Sequence, residues 1–218
     1  KLGCSEDSRQ AHEVLEDVYE SGVASCLQHD LVITAHNLLI RLLKKLGPVS
    51  PYDQYRVRLR LGMVEKTFLQ RYAEAAENFK FCAEYSDLRR KTARKARGVI
   101  ADLASRVLNL QVGRDEDGDD KDERKKGKDP AWTTHGDIDC GCMHYEYAVC
   151  LKHAYNWSLC LPHFKIASET LEESLESDTL NVTDPYDARY LHKALETLED
   201  IAHHYLSNAA QTMKDSAL

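Results

Sequence analysis

Between His135 and His163 the sequence gathers Cys140, Cys142, His144, Cys150, His153, Cys160 and His163. Thiolate sulfur and imidazole nitrogen are the ligands of tetrahedral zinc. Two pairs carry the spacing: Cys150-x-x-His153 and Cys160-x-x-His163, on either side of a turn expected at 156–158. Residues three apart share a helix face, so each pair presents two ligands together. A closed hairpin would then make Cys150, His153, Cys160 and His163 a zinc set, the one cofactor the chain suggests. The same residues have a plainer reading. Cys160 serves as a small packing group, Pro162 opens a helix beside His163, and buried Cys is a modest apolar residue. No Glu is placed as a base, so catalytic zinc is not expected.

A second cluster is cationic. In Arg89-Arg90-Lys91-Thr92-Ala93-Arg94-Lys95-Ala96-Arg97, residues Arg90, Arg94 and Arg97 line one helix face. Such a strip pairs with an acidic peptide or with phosphate. It lacks the interleaved aromatics of an RNA platform, since none occurs between Leu88 and Leu110. It also reads as a solvated face answering the acidic residues at 115–123. Arg56 and Arg60, with Lys44 and Lys45 nearby, form another pair on one face, and Tyr55, Tyr72 and Tyr155 offer aromatic anchoring area.

Signatures of catalysis are absent. There is no Gly-rich phosphate loop, G-x-S-x-G or H-E-x-x-H. His29-Asp30 resembles the metal pair of HD phosphohydrolases, but Asp30 is better explained as the N-cap of a helix. Asp115, Asp117 and Asp119 begin like a calcium loop, yet Asp120 stands where Gly is needed and Lys126 where Glu is needed. The chain reads as a non-enzyme.

The net charge of −7 argues against wholesale coating of nucleic acid. Seven cysteines are an odd number without the spacing of a stapled domain, so free thiols in a reducing compartment, cytoplasm or nucleus, are expected. No apolar run reaches membrane-spanning length.

Positioning these residues falls to helices, because apolar positions recur at helical spacing and β-branched alternation never lasts. The pattern gives an all-α chain of about eight helices paired antiparallel: 8–27, 30–46, 51–69, 72–85, 87–110, 139–155, 158–175 and 185–213. Gly47-Pro48 stops the second, Pro51 opens the third, Ser86-Asp87 caps the fifth and Asp184-Pro185 opens the last. Residues 113–128 contain no apolar side chain and read as a disordered loop. The division expected is therefore helical hairpins over 1–112, a charged loop over 113–134, and hairpins over 135–218 packed on the first half.

A forty-residue echo organises the first third. Gly22, Ala35 and Leu39 recur as Gly62, Ala75 and Phe79. Small residues admit close helix approach, and a bulky one fills the gap. The segment from Tyr72 to Cys82 resembles the second helix of a tetratricopeptide repeat, Leu61-Gly62 its first-helix pair, and Ala148, Cys160, Phe164 and Ala167 a further small-small-large-small set. The resemblance implies a superhelix of stacked hairpins that acts as a scaffold or adaptor, binding a protein or peptide as part of a larger complex. Partner contact would fall to Arg56, Arg60, Arg90, Arg94, Arg97, Tyr55 and Tyr72. The last helices also resemble those of 14-3-3 phosphopeptide binders, although Glu65-Lys66 stands where that family's phosphate-gripping Arg-Tyr pair is expected. An RNA-associated module using 89–97 is the other alternative.

Overall fold

The computed structural model describes residues 21–46, 51–112, 131–155, 157–177 and 179–216; the side chains of 97, 100–112 and 131–133 are not among those described. Among the described residues the chain is all-helical, without a strand. Helix α1 covers 21–28, followed by α2 (Val32–Leu46), α3 (Pro51–Thr67), α4 (Tyr72–Val112), α5 (Ala131–Ala154), α6 (Trp157–Glu176) and α7 (Pro185–Ser216).

The echo in the sequence is an echo in the backbone. At the end of α1 the Leu31 N–H donates to the Cys26 carbonyl at 2.7 Å and the Asp30 N–H to that of Leu27 at 3.3 Å. Asp30 takes the left-handed conformation, φ 57°. This is the Schellman way of ending a helix. Asp30 thus terminates α1 rather than capping α2, which starts where the Ala35 N–H donates to Leu31. Forty residues on, Gln70 reverses the chain at φ 52°, and the Ala75 N–H donates to Arg71 to begin α4. The residues of the echo pack as their sizes require. Ala35 and Ala75 are fully buried, as is Phe79, and a Cβ on Gly62 would stand 3.1 Å from the Phe79 ring. Ala148, Cys160, Phe164 and Ala167 are buried as well.

Four expectations need correction. The two helices expected over 72–110 are one, α4; Ser86 is a buried residue inside it, and strong helix formers on both sides outweigh the Ser-Asp capping signal. Val99, expected on an apolar stripe there, is 60% exposed. Helix resumes at Ala131, not near 139, so 131–134 belongs to α5 and the remainder of the expected loop, 113–130, lies outside the described residues. Pro162 does not open α6 but sits inside it, removing one backbone donor in the second turn. Described helices thus number seven against the eight expected; the 47–48 stop is also outside the described residues. Pro51 and Pro185 do open α3 and α7, and Asp184 Oδ1 accepts from the N–H groups of Tyr186 and Asp187 at 2.8 and 3.2 Å.

Contacts gather residues up to 85 with 143–166 in one compact unit, and 86–142 with 167 onward in a second. Each unit therefore draws on both sides of the division expected at 113–134. The first unit's core is Val23, Ala35, Leu39, Leu42, Leu46, Val57, Leu61 and Val64 from α1–α3, with Phe79 of α4 also buried. Its later segment is joined by an ion pair of Lys66 with Glu146 and by Tyr72 stacked on His153 at 4.5 Å. The second unit buries Ile138, Cys142, Leu171, Ala194 and Ile201. There α5 meets α6 so closely that a Cβ on Gly141 would stand 2.7 Å from Leu171 Cγ.

Candidate functional site

In the first unit α1 and α3 leave a cleft of about 610 Å³ between them. Val23 and Val64, both nearly inaccessible, form its floor. Leu27 and Leu59 are half-buried along its walls, and Met63 and Phe68 stand at the rim, 40% and 54% exposed. Ser21, Thr67 and Arg60 add polar groups, Arg60 being the one charged residue of the described lining. Helical spacing explains the cleft. On α3, Val57, Leu61 and Val64 face the core, which turns Arg60, Met63 and Thr67 to the outer side, one turn apart. Met63 is an adaptable side chain suited to an irregular partner surface. The described lining holds no His, Cys, Asp or Glu.

Of the sequence-derived binding residues, Arg60 lines this cleft and Arg56 lies one turn before it on α3. Tyr55 is half-buried against Tyr85, ring centroids 5.2 Å apart, and its carbonyl accepts from the Cys82 thiol. Tyr72 is occupied by its stack on His153. Tyr155 is exposed.

Two residues of the cationic strip, Arg90 and Arg94, are paired within the second unit. Arg90 Nε lies 2.9 Å from Asp137, while its Nη atoms donate to Glu173 at 2.9 Å and Thr170 at 3.1 Å. Arg94 reaches Glu173 at 3.4 Å. The acids that answer Arg90 and Arg94 are therefore folded-chain neighbours, far away in sequence. The side chain of Arg97 lies outside the described ones.

The four candidate zinc ligands do not converge on one centre among the described residues. Cys150 is fully buried, and burial pushes its thiol up to about 12. His153 is exposed against Tyr72, its pKa lowered first by burial and then by Lys152 and Lys66. The Cys160 thiol donates to the Trp157 carbonyl at 3.0 Å. His163 faces His144, Nδ1 to Nδ1 at 3.1 Å, so one of the two carries a proton there.

Two buried polar assemblies escaped the sequence reading. In the first unit His36 Nε2 donates to Glu65 Oε1 at 3.0 Å, Asn78 Nδ2 to Glu65 Oε2 at 2.8 Å, and Arg58 to Asn78 Oδ1 at 3.2 Å. Arg58 also lies 4.7 Å over the Phe81 ring. In the second, His135 Nε2 donates to Asp187 Oδ1 at 2.8 Å and stacks on Tyr190 at 4.2 Å. A polar residue on the apolar stripe of α2, His36, was the one legible hint of the first; nothing local announced the second. Compared with known protein families, with curated proteins and with solved structures, the chain matches none.

Proposed function

We propose that this chain is a protein-interaction module, a scaffold or adaptor, that seats an amphipathic helix of a partner protein in the α1–α3 cleft. The observation that carries the reading is the cleft itself: apolar, about 610 Å³, with Met63 and Phe68 exposed at its rim. That volume lies within the roughly 300–1,000 Å³ typical of ligand-sized clefts. Apolar side chains of the partner fill the floor, and an acidic residue beside them meets Arg60, with Arg56 one turn away. The forty-residue repeat of turn and packing residues supports a stacked-hairpin, tetratricopeptide-like arrangement of α1–α4. Six free cysteines among the described residues, five of them buried, support a reducing intracellular compartment. No described helix is long and apolar enough to cross a membrane.

The test is co-purification from the native source with the intact chain and with Met63→Asp/Phe68→Asp. Both residues are exposed, so the variant should keep its melting transition. The reading expects a partner recovered by the parent chain and lost by the variant, and weakened several-fold by Arg60→Glu. Equal recovery by all three chains would contradict it. A steep salt dependence that survives the double variant would instead favour a phosphate-rich partner at the cationic strip.

A further inference from the structure

Helix α7 continues four turns past the last residue it buries. Ala194, Thr197 and Ile201 face the core of the second unit, yet from Ala202 to Asp215 no residue is buried. A second side of the helix, about 120° round from the buried one, carries Leu195, Ala202, Leu206, Ala209 and Met213. At about 100° per residue these five fall within roughly 60° of one another, a stripe about 27 Å long. Leu195 is 56% exposed, Leu206 68% and Met213 73%. A helical segment of this length with an uncovered apolar stripe is marginal in water by itself.

The occupant is written into the spacing. From Leu195 to Ala202 is seven residues, from Ala202 to Leu206 four, and from Leu206 to Met213 seven. For these four residues the spacing reads the same in both directions, while Ala209 falls opposite position 199. Two copies laid antiparallel about an axis near His204 bring Leu206 of each opposite Ala202 of the other, large against small, and Leu195 opposite Met213. That is the self-complementarity a two-fold interface needs, with knobs matched to holes. A parallel pair would set Leu206 on Leu206 and leave the alanines facing a gap. Two stripes of five side chains bury less than the roughly 1,200 Å² at which standard-size interfaces begin, so the pairing is weak and concentration-dependent.

We infer that α7 is a self-association helix through which two copies of this chain pair antiparallel along Leu195, Ala202, Leu206 and Met213. The test is sedimentation equilibrium of the full chain across the micromolar range, alongside Leu206→Asp/Met213→Asp. The parent chain should pass from monomer to dimer with rising concentration; the variant should stay monomeric with an unchanged melt. A nitroxide carried by an unnatural residue then fixes the direction. In the antiparallel dimer a label at His203 lies close to its mate, whereas one at Asp215 lies about 35 Å from its mate, from a rise of about 1.5 Å per residue. A monomer at all concentrations, a dimer that survives the double variant, or short distances at both positions would each overturn the proposal.

Discussion

Each compact unit buries a histidine against a carboxylate, and the two pairs are built differently. His36–Glu65 in the first unit is held mainly by side chains from three helices, Glu65 and Arg58 on α3, His36 on α2 and Asn78 on α4, with the Glu74 carbonyl accepting from Asn78 Nδ2 at 3.3 Å as the one backbone contact among the described bonds. His135–Asp187 in the second is held at helix ends. Asp187 lies in the first turn of α7 and accepts the Asn181 N–H at 2.8 Å, while the neighbouring Thr134 hydroxyl pairs with that of Thr179 at 2.6 Å. The first assembly sets the register of packed helices, and every member depends on the others. The second fastens the α6–α7 connection to the start of α5, and a backbone donor shares the work. A network of side chains should therefore be brittle, and a clamp on backbone forgiving.

The largest effect should come from Glu65→Ala. It strands His36 and Asn78 in the core and should cost about 3 kcal/mol of unfolding free energy. Glu65→Gln keeps one acceptor and should cost less. Urea denaturation of both measures this; an alanine variant within 0.5 kcal/mol (roughly the noise of a neutral surface change) would show that the network is dispensable.

Next come the glycines at the two close approaches. Gly141→Ala drives a methyl to 2.7–2.9 Å from Leu171 and 3.3 Å from the Ala167 carbonyl, and should cost about 1–3 kcal/mol. Gly62→Ala meets only the Phe79 ring at 3.1 Å, and the helix propensity gained, about 1 kcal/mol, offsets the crowding. Similar losses from both substitutions would erase the distinction between the two contacts.

The smallest effect concerns acid. The Asn181 N–H first, then His135, hold the Asp187 carboxyl below the usual carboxylate range. A depressed carboxylate contributes stability that is present above its unfolded pKa, about 4, and is lost as pH falls through the folded value. The urea midpoint of Asp187→Asn should thus lie below that of the parent chain at pH 7 and approach it at pH 3. A gap that persists at pH 3 would assign the loss to shape rather than to charge.

What was legible in the sequence follows the same division. Periodicity gave the helices, and the recurrence of Gly22, Ala35 and Leu39 as Gly62, Ala75 and Phe79 gave the close packing, because side-chain size acts locally. The role of Asp30 was misread because an Asp tolerates both the N-cap and the left-handed conformation, and only the backbone bonds of Cys26 and Leu27 distinguish them. Ser86-Asp87 looked like a boundary because capping preference is weaker than the helix propensity around it. Arg90 looked like a binding residue because its acids, Asp137 and Glu173, lie some fifty and eighty residues away. The cysteine–histidine pairs matched zinc in spacing, but the folded chain buries Cys150 and gives His153, Cys160 and His163 other neighbours. Met63 and Phe68 carried no local mark at all: an apolar residue at a helix surface is ordinary until a cleft opens beside it.

The central claim is that the α1–α3 cleft receives a partner's helix. A photo-crosslinking residue placed at Met63, with a second chain carrying it at the more open Val182, tests this on the intact protein in its native source. Crosslinking from position 63 to one discrete protein, through an apolar helical segment with an acidic residue beside it, is the predicted result. No adduct from position 63, or the same adducts from both positions, would contradict it.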